Sequence, residues 1–446
     1  MTRTRESAEP FRYDSYRLEP EHARLVCRYA LGARRFEERI SFDPGGDWAS
    51  PAVEAAARLV HLLAGVSYFK TAAPAEIDLG ELPTTPGERD FLRSFYLNGL
   101  AEFAYRNDVD LSGVRVDGPD RAPQDPVSYD ARIGSPLIPF GGGIDSIVTA
   151  EQTRAGFPAA ALFVVSGRGG RFDAIERPAA LTGLPVLRAE RAIDAQLLGP
   201  SGREFLNGHV PVTGILSAIA VMAAVLAGRD TIVMSNEWSA SSGNLTSAGL
   251  SVNHQYSKSL EFETGFREVL AGTFGGTPRY FSLLRPFSEL WVARRFAELP
   301  RYHRVFRSCN RAFQLDRSRR LDRWCGVCDK CCFIDLILSP FLDAGVLRDV
   351  FDGREPIDQP VLAERFRALL GTSPAAKPFE CVGDVGECRT ALLLAADRPD
   401  RSTSVQVRTL AAEVREAGGA PEGIDHLRPM GEHCVPDEYS AEDQLV

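Results

Sequence analysis

The chain has 446 residues, 44% of them hydrophobic and 25% charged, enough to bury the cores of about two or three ordinary globular domains. Its net charge of −9 argues against a general nucleic-acid binder. The nine cysteines, most of them in one segment, favour metal binding or thiol chemistry in a reducing compartment over a disulfide framework.

The chain starts with charged and polar residues rather than an apolar leader, so we expect no signal peptide and a cytoplasmic location. The apolar run at 215–227 is too short for a membrane span. Residues 14–18, 23–31 and 36–42 are predicted strands separated by short polar turns, and Cys27, Tyr29 and Leu31 alternate with polar neighbours as in a half-buried antiparallel strand. Residues 48–63 have helical spacing, with Ser50 and Pro51 as a start signal. We therefore predict an N-terminal α+β domain over 1–125, a candidate substrate-binding domain that ends in a Pro- and Asp-rich linker.

Residues 139–149 read Pro-Phe-Gly-Gly-Gly-Ile-Asp-Ser-Ile-Val-Thr, between a short apolar strand and a helical pattern. Consecutive glycines allow backbone N–H groups to approach an anion, and the helix N-terminus favours a phosphate. No Lys-Ser/Thr pair follows the glycines, so this is not a Walker loop. It resembles the Ser-Gly-Gly-x-Asp-Ser loop of enzymes that split ATP into AMP and pyrophosphate, with Phe140 in place of the first serine. The alternative is a glycine-rich turn that binds nothing.

Strands at 160–166, 185–188 and 231–235 alternate with helices, including a long apolar helix over 210–226, which predicts a parallel sheet. Ligands bind at the carboxyl ends of such strands, and that edge holds the glycine loop, Ser166 and Ser235. We predict an α/β ATP pyrophosphatase domain over 126–300, like the adenine nucleotide alpha hydrolases.

Three further polar residues are candidates for acid/base chemistry. His209 precedes a helix start, where capping or packing is the commoner role. Glu237 follows a strand within the polar stretch 235–244, and Lys258 lies in the irregular stretch 252–259. Solvated loops are the alternative for both stretches.

Cys325, Cys328 and Cys331 form two overlapping C-x-x-C steps, and Cys309 lies upstream. Four thiolates can close a tetrahedral zinc site, with Cys332 as a less suitable fourth ligand. Buried reduced cysteines and an iron–sulfur cluster are the alternatives. Eight arginines between 301 and 323 suit a diphosphate, an RNA backbone or a solvated face. We predict a helical cysteine-knuckle region over 301–396, with helices at 335–348, at 359–370 and from 387 onward. Residues 397–446 are predicted to be a mobile tail, with one helix at 405–417.

Several of these motifs occur together in one order. They are Ala-Gly-Val-Ser-Tyr-Phe-Lys (64–70), Gly-Leu-Ala-Glu-Phe-Ala-Tyr (99–105), the glycine loop, Asn-Gly-His-Val-Pro-Val-Thr (207–213), Ser-Asn-Glu-Trp-Ser-Ala-Ser (235–241), Val-Asn-His-Gln-Tyr-Ser-Lys-Ser (252–259), Arg-Trp-Cys-Gly-Val-Cys-Asp-Lys-Cys (323–331) and Lys-Pro-Phe-Glu-Cys-Val-Gly (377–383). The combination resembles the UDP-N-acetylmuramoyl-L-alanyl-L-glutamate epimerase family of bacterial peptidoglycan synthesis. The glycine loop and cysteines alone equally resemble 7-cyano-7-deazaguanine synthase, a shorter family without the first domain.

The resemblance implies that the terminal L-glutamate of the UDP-N-acetylmuramoyl (UDP-MurNAc) dipeptide is inverted, with ATP consumed to AMP and pyrophosphate. In this interpretation Gly141, Gly142, Gly143 and Ser146 hold the β- and γ-phosphates, and Asp145 helps to place Mg²⁺. Zinc on the four cysteines is structural, because a closed thiolate site leaves no open position.

The acid/base group is left open among five residues: His209, Glu237, Lys258, Cys332 and Cys381. A pyrophosphatase-loop synthetase and a zinc- and RNA-binding module are the alternative functions, although we expect neither a nucleic-acid nor a membrane partner.

Overall fold

The computed structural model describes residues 9–122, 124–167, 169–198, 204–247, 250–314, 319–374 and 377–439. The strands are β1 Phe11–Glu19, β2 Arg24–Leu31, β3 Arg34–Phe42, β4 Glu76–Asp78, β5 Arg115–Asp117, β6 Arg132–Pro139, β7 Ala161–Gly167, β8 Val186–Ala192, β9 Arg229–Met234, β10 Leu245–Ser247, β11 Leu250–Val252 and β12 Arg279–Ser282. The helices are α1 Pro51–Ala64, α2 Val66–Phe69, α3 Pro86–Gly99, α4 Ala101–Asn107, α5 Ile144–Gly156, α6 Asp173–Thr182, α7 Val212–Leu226, α8 Leu260–Phe274, α9 Glu289–Ala297, α10 Asp329–Leu338, α11 Ala344–Val350, α12 Ala363–Leu370, α13 Val385–Ala396 and α14 Val405–Glu416.

The three predicted N-terminal strands are present, and they pair as an antiparallel meander. Alternating burial along β1 sends Phe11 and Tyr13 into the core beneath α1. The Tyr13 hydroxyl donates to the Leu62 carbonyl at 2.6 Å, which satisfies a polar group that is otherwise buried. Helix α1 begins as predicted, with the Ser50 side chain accepting from the Ala52 N–H and Pro51 in the first turn.

The strands of the predicted α/β region are parallel, in the order β12-β9-β6-β7-β8. Strand β8 then pairs antiparallel with β3, so one ten-stranded sheet continues through the meander to β4 and β5. The architecture is therefore α/β, with a large, mostly parallel mixed sheet. A domain boundary near residue 125 stays a prediction, because the sheet runs through both parts.

Helix α7 is apolar and buried on most of its faces, and it packs between the sheet and α1. Among the described residues, Pro51–Phe69 is a helical stretch long and apolar enough to cross a membrane, where the sequence suggested none. Its 18-residue apolar window is 89% buried inside the protein, as in a core helix.

The C-terminal region departs from prediction in two places. The helix expected at 335–348 is two helices, α10 and α11, because Pro340 cannot donate a helical hydrogen bond and crowds the preceding turn. The described part of the expected mobile tail, 397–439, packs on the rest of the protein. Helix α14 buries Leu410 and Val414, and the Tyr439 ring stacks on Phe157 at 4.1 Å between centroids.

Candidate functional site

The glycine loop lies between β6 and the N-terminus of α5, as predicted. Gly142 has φ of +78°, and a Cβ there would lie 2.4 Å from the Ala174 carbonyl oxygen, so only glycine fits. The Ser146 hydroxyl accepts from the Gly142 N–H and donates to the Gly143 carbonyl, each at 3.1 Å. Ser146 thus braces the loop from the first turn of α5.

Asp145, Glu237 and Glu289 form a buried carboxylate cluster beside this loop. Asp145 is in the first turn of α5, Glu237 follows β9, and Glu289 opens α9. Burial raises the pKa of Asp145 to about 6, Glu237 adds to the rise, and Lys330 and Lys258 oppose it. Burial likewise raises the pKa of Glu289 well above its usual range, with the Asp145 charge next in effect. These carboxylates are therefore held close together at a cost in free energy.

The carboxylate cluster has unsatisfied oxygens. Asp145 Oδ1, Glu237 Oε1 and Glu289 Oε2 are all buried, and no donor among the described residues reaches them apart from the hydrogen bond that Asp145 and Glu289 can share when one of the two is protonated. The hydroxyl of Ser235, the residue directly after β9, is also buried without a hydrogen-bond partner among the described residues. Buried acceptors without partners are rare, and oxygen-rich sites of this kind suit a hard cation.

Hydrogen bonds join the three polar segments around the carboxylate cluster. The Asn244 side-chain amide donates to the Pro378 carbonyl at 2.9 Å, and Asn244 Oδ1 accepts from the His254 N–H at 2.9 Å. Asn253 Nδ2 donates to the Ala240 carbonyl at 3.0 Å. The segments 235–244, 252–259 and 377–383 therefore form one wall.

Buried Arg285 holds two segments of this wall in place. Its side chain is 1% exposed and pairs with Glu263. The same guanidinium donates to the main-chain carbonyls of Glu237 at 2.7 Å and Lys258 at 2.5 Å. One buried cation thus sets the positions of two predicted site residues.

A second group, which we call the thiolate centre, consists of Cys381, His254, Glu102 and Lys258. Lys258 Nζ lies 3.4 Å from Cys381 Sγ, and His254 hydrogen-bonds both to Cys381 and, through Nδ1, to Glu102. Burial favours the neutral thiol, but Lys258, the His254 hydrogen bond and the charge of Lys330 outweigh it and lower the pKa of Cys381 to about 6. Cys381 is therefore a thiolate near neutral pH.

The partners of Cys381 carry the compensating charge. Burial lowers the pKa of His254, but its hydrogen bonds to Cys381 and Glu102 outweigh burial and raise that pKa to about 9. Burial also acts to lower the pKa of Lys258, yet the charges of Cys381, Glu237 and Asp145 raise it. Lys258 therefore interacts electrostatically with both the thiolate centre and the carboxylate cluster. The two groups are adjoining parts of one site.

His209 lies at the edge of the thiolate centre. Its ring centroid is 4.2 Å from that of His254, and its donor atoms lie within 4.8 Å of those of His254 and Glu102. Burial, then the charge of His254, lowers the pKa of His209 to about 4, so this imidazole is neutral.

The four predicted cysteines, Cys309, Cys325, Cys328 and Cys331, converge on one point and form what we call the four-cysteine cluster. Their sulfurs lie within 4.8 Å of one another, with Cys328 and Cys331 3.4 Å apart and Cys325 and Cys331 3.7 Å apart. The Cys325 N–H donates to Cys309 Sγ at 3.3 Å. Gly326, at φ of +66°, makes the turn between the first two knuckle cysteines. The four-cysteine cluster can hold a metal ion.

The structure brings the predicted residues Asp145, Glu237 and Lys258 together, with His209 and Cys381 close by. Ser166 is half-buried near the end of β7. Among the described contacts, none joins it to the carboxylate cluster or to the thiolate centre. Cys332 is buried in the core on α10, outside the four-cysteine cluster.

Sequence reasoning missed four members of the site: Glu102, His254, Glu289 and Lys330. Three of them lie inside the motifs at 99–105, 252–259 and 323–331, so the signal was present but unassigned. Glu289 follows Ser288, which caps α9, and carries no local signal beyond a helix start.

A separate cavity of about 860 Å³ lies between α1, α3 and α8. Its described lining includes Glu54, Asp90 and Glu268, and includes neither the carboxylate cluster nor Cys381. An acidic lining of this kind disfavours an anionic nucleotide.

Fold and site together are those of an α/β enzyme. Two family models match the chain: the MurL N-terminal domain over residues 2–283 and the MurL C-terminal domain over residues 305–423. The chain belongs to the UDP-N-acetyl-alpha-D-muramoyl-L-alanyl-L-glutamate epimerase family, as the sequence motifs indicated.

Three relatives carry that epimerase name. The protein from Xanthomonas oryzae pv. oryzae is 40% identical over 402 residues, covering 88% of this chain and 87% of its own length. The Salinispora tropica protein is 40% identical over 97% of this chain and 95% of its own, and the Micromonospora protein is 37% identical over 97% of each. No solved structure matches the chain significantly.

Proposed function

We propose that this protein inverts the terminal L-glutamate of UDP-MurNAc-L-Ala-L-Glu to D-glutamate, by way of a carboxyl-adenylate formed from ATP with release of pyrophosphate. AMP then leaves on hydrolysis. The names of the relatives support the substrate and the inversion. The observation that carries the ATP step is the glycine loop with the unsatisfied carboxylate cluster directly beside it.

The chemistry explains why an epimerase uses ATP. A hydrogen α to a carboxylate is hard to remove, since the resulting enolate carries a second negative charge. Transfer of AMP to the carboxylate cancels the first charge and makes the carbonyl an electron acceptor. The two diastereomers are close in free energy, so ATP serves the rate, and hydrolysis of the adenylate makes the cycle irreversible.

Each part of the site has a role in this proposal. The N–H groups of Gly141 and Gly143, just before α5, bind the β- and γ-phosphates, while the Gly142 N–H donates to the Ser146 hydroxyl and so keeps the loop in shape. Ser235, with a free buried hydroxyl at the same edge, is a further ATP ligand. Ser166 remains a proposed ligand on the strength of its strand-end position alone.

The residues present fit Mg²⁺. Asp145, Glu237 and Glu289 offer buried carboxylate oxygens that lack partners, and carboxylates are the ligands magnesium prefers. An Mg²⁺ ion held by these carboxylates would supply positive charge to neutralise the leaving pyrophosphate. The positive charges of Lys258 and Lys330, which already act on Asp145, add to that neutralisation from the protein side.

The residues present also fit zinc. Bonds of about 2.3 Å in a tetrahedral site place sulfurs about 3.8 Å apart, close to the observed separations of 3.4 and 3.7 Å. Cys309, Cys325, Cys328 and Cys331 would close the coordination shell, so the ion is structural. A zinc ion held there would anchor the start of α10, which carries Lys330.

The predicted division into domains stays part of the proposal. Residues 1–125 supply Glu102 to the thiolate centre, which supports a part for this region in substrate binding. The cytoplasmic location stays a prediction.

The test is to incubate the protein with ATP, Mg²⁺ and UDP-MurNAc-L-Ala-L-Glu, then to measure glutamate chirality and the nucleotide products. We expect D-glutamate and AMP from the wild type, and neither from Asp145→Asn. Asp397→Asn, at an exposed position, is the matched control. Release of ADP, or a requirement for ammonia with formation of an amide, would overturn the proposal.

A further inference from the structure

Four of the candidate acid/base groups lie outside the carboxylate cluster, which already includes Glu237, and they differ in their ability to accept the α-hydrogen. Lys258 is an ammonium held by Cys381 and Gln255, so it has no lone pair to accept a proton. Burial and the charge of the neighbouring His254 lower the pKa of His209 to about 4, which makes its imidazole a weak base. Cys332 is buried in the core of α10. Cys381 is half-buried and receives hydrogen bonds from two cationic donors, Lys258 and His254.

The surroundings of Cys381 are built to hold a negative sulfur. His254 is oriented by Glu102 through Nδ1, and Glu102 is itself paired with Arg106 at 2.6 Å. Lys330 donates to the Cys381 main-chain carbonyl, which fixes the backbone that carries the thiol. This is the arrangement of an activated group, its charged partner and a third residue that orients the partner.

The thiolate centre also lies next to the place where an adenylate would form. Lys258 interacts with the Cys381 sulfur on one side and with Glu237 and Asp145 of the carboxylate cluster on the other. The stretches holding Glu237 and Cys381 are connected through Asn244, which bonds to the Pro378 carbonyl. Lys258 therefore links Cys381 to the carboxylate cluster beside the glycine loop.

We propose that Cys381 is the catalytic base that removes the α-hydrogen of the adenylated glutamate, with His254 and Glu102 as positioning residues. This inference rests on the proposed function. The thiolate takes the hydrogen as a proton and becomes a thiol, and the C–H electron pair passes into the adenylate carbonyl as an enolate. A proton from solvent enters the opposite face of the enolate, and the Cys381 proton returns to solvent. The sum is inversion with exchange of one hydrogen.

A base of this kind suits the task. General bases work best when their pKa lies near the operating pH, and Cys381, with a pKa of about 6, is ionised there while still able to hold a proton. The cationic partners also stabilise negative charge near the enolate as it forms.

The test separates adenylation from proton removal in Cys381→Ser and Cys381→Ala. In D₂O with ATP, Mg²⁺ and the L,L-substrate, we expect deuterium incorporation at the glutamate α-carbon to fall about 10²- to 10⁴-fold, the usual contribution of a general base. Hydroxylamine should still trap the adenylate as a hydroxamate, at a rate near that of the wild type. The matched control is Cys434→Ser, which replaces a half-buried cysteine outside the site. It should change neither deuterium incorporation nor hydroxamate formation.

The outcomes are distinct. Undiminished deuterium incorporation in both variants, or equal loss of hydroxamate and deuterium, would overturn the role of Cys381 as base. So would a substrate-sized mass increase on Cys381 after acid quench, which would identify the thiol as a nucleophile that forms a thioester. Exchange that needs no ATP but still requires Cys381 would refute the adenylation step of the proposed function and leave only the assignment of Cys381 as the base.

His254→Gln provides an independent readout. Without its cationic partner, the thiol should ionise at higher pH, so the acid limb of the exchange rate should move upward in pH while hydroxamate formation persists. A merely structural role for His254 would reduce the rate without moving the limb, and that result would contradict its assignment as a positioning residue.

Discussion

Gly142→Ala tests whether the glycine loop has the shape on which ATP binding depends. The residue lies in the left-handed region, at φ of +78°, where a Cβ costs about 1–2 kcal/mol. The new methyl group would also lie 2.4 Å from the main-chain oxygen of Ala174, an atom that cannot move without shifting α6. Overpacking of this kind costs about 1–3 kcal/mol. We therefore expect the free energy of unfolding to fall by about 2–5 kcal/mol.

Urea denaturation measures that free energy, and Gly141→Ala is the stability control. Gly141 lies outside the left-handed region, and a Cβ there meets no described atom within 4 Å. We expect the control to unfold like the wild type and Gly142→Ala to lose AMP formation as well as stability. If Gly142→Ala matched the control in urea and still formed AMP, the close approach of the loop to α6 would be refuted as a requirement.

Three further predictions concern pH, metal and the buried arginine. The rate of α-hydrogen exchange should fall as pH drops through about 6, because protonation of Cys381 removes the base. A rate that is independent of pH between about 5 and 7 would contradict the assignment of Cys381 as the base. The purified protein should contain one zinc per chain. Cys325→Ser should lose the metal and unfold at a lower temperature than Cys434→Ser, because closed thiolate sites contribute folding free energy. An unchanged zinc content in Cys325→Ser would argue against a metal site in the four-cysteine cluster. Arg285→Met should lower the free energy of unfolding by about 3–5 kcal/mol, as measured in urea, because Glu263 is left as an unpaired buried charge. An exposed-pair variant, Arg304→Met, should change stability little, and equal effects of the two would contradict the buried-pair argument.

Local sequence was sufficient for several parts of this protein. Strand-like patterns of apolar and polar residues predicted the three N-terminal strands, and Ser50 with Pro51 predicted the start of α1. Three glycines before Asp145 predicted the loop between strand and helix, since short-range backbone geometry decides it. The spacing of Cys325, Cys328 and Cys331 likewise placed three thiols together.

Long-range packing decided the rest. Pairing of β8 with β3 joined two predicted domains in one sheet, and burial of α14 placed the expected tail on the core. The choice of Cys381 among the candidate bases required His254 and Glu102, which stand 127 and 279 positions before it in the chain. A thiol has no unusual acidity by itself. Only the folded protein brings two half-buried cations to the sulfur, and their charge lowers the pKa of Cys381 more than burial raises it.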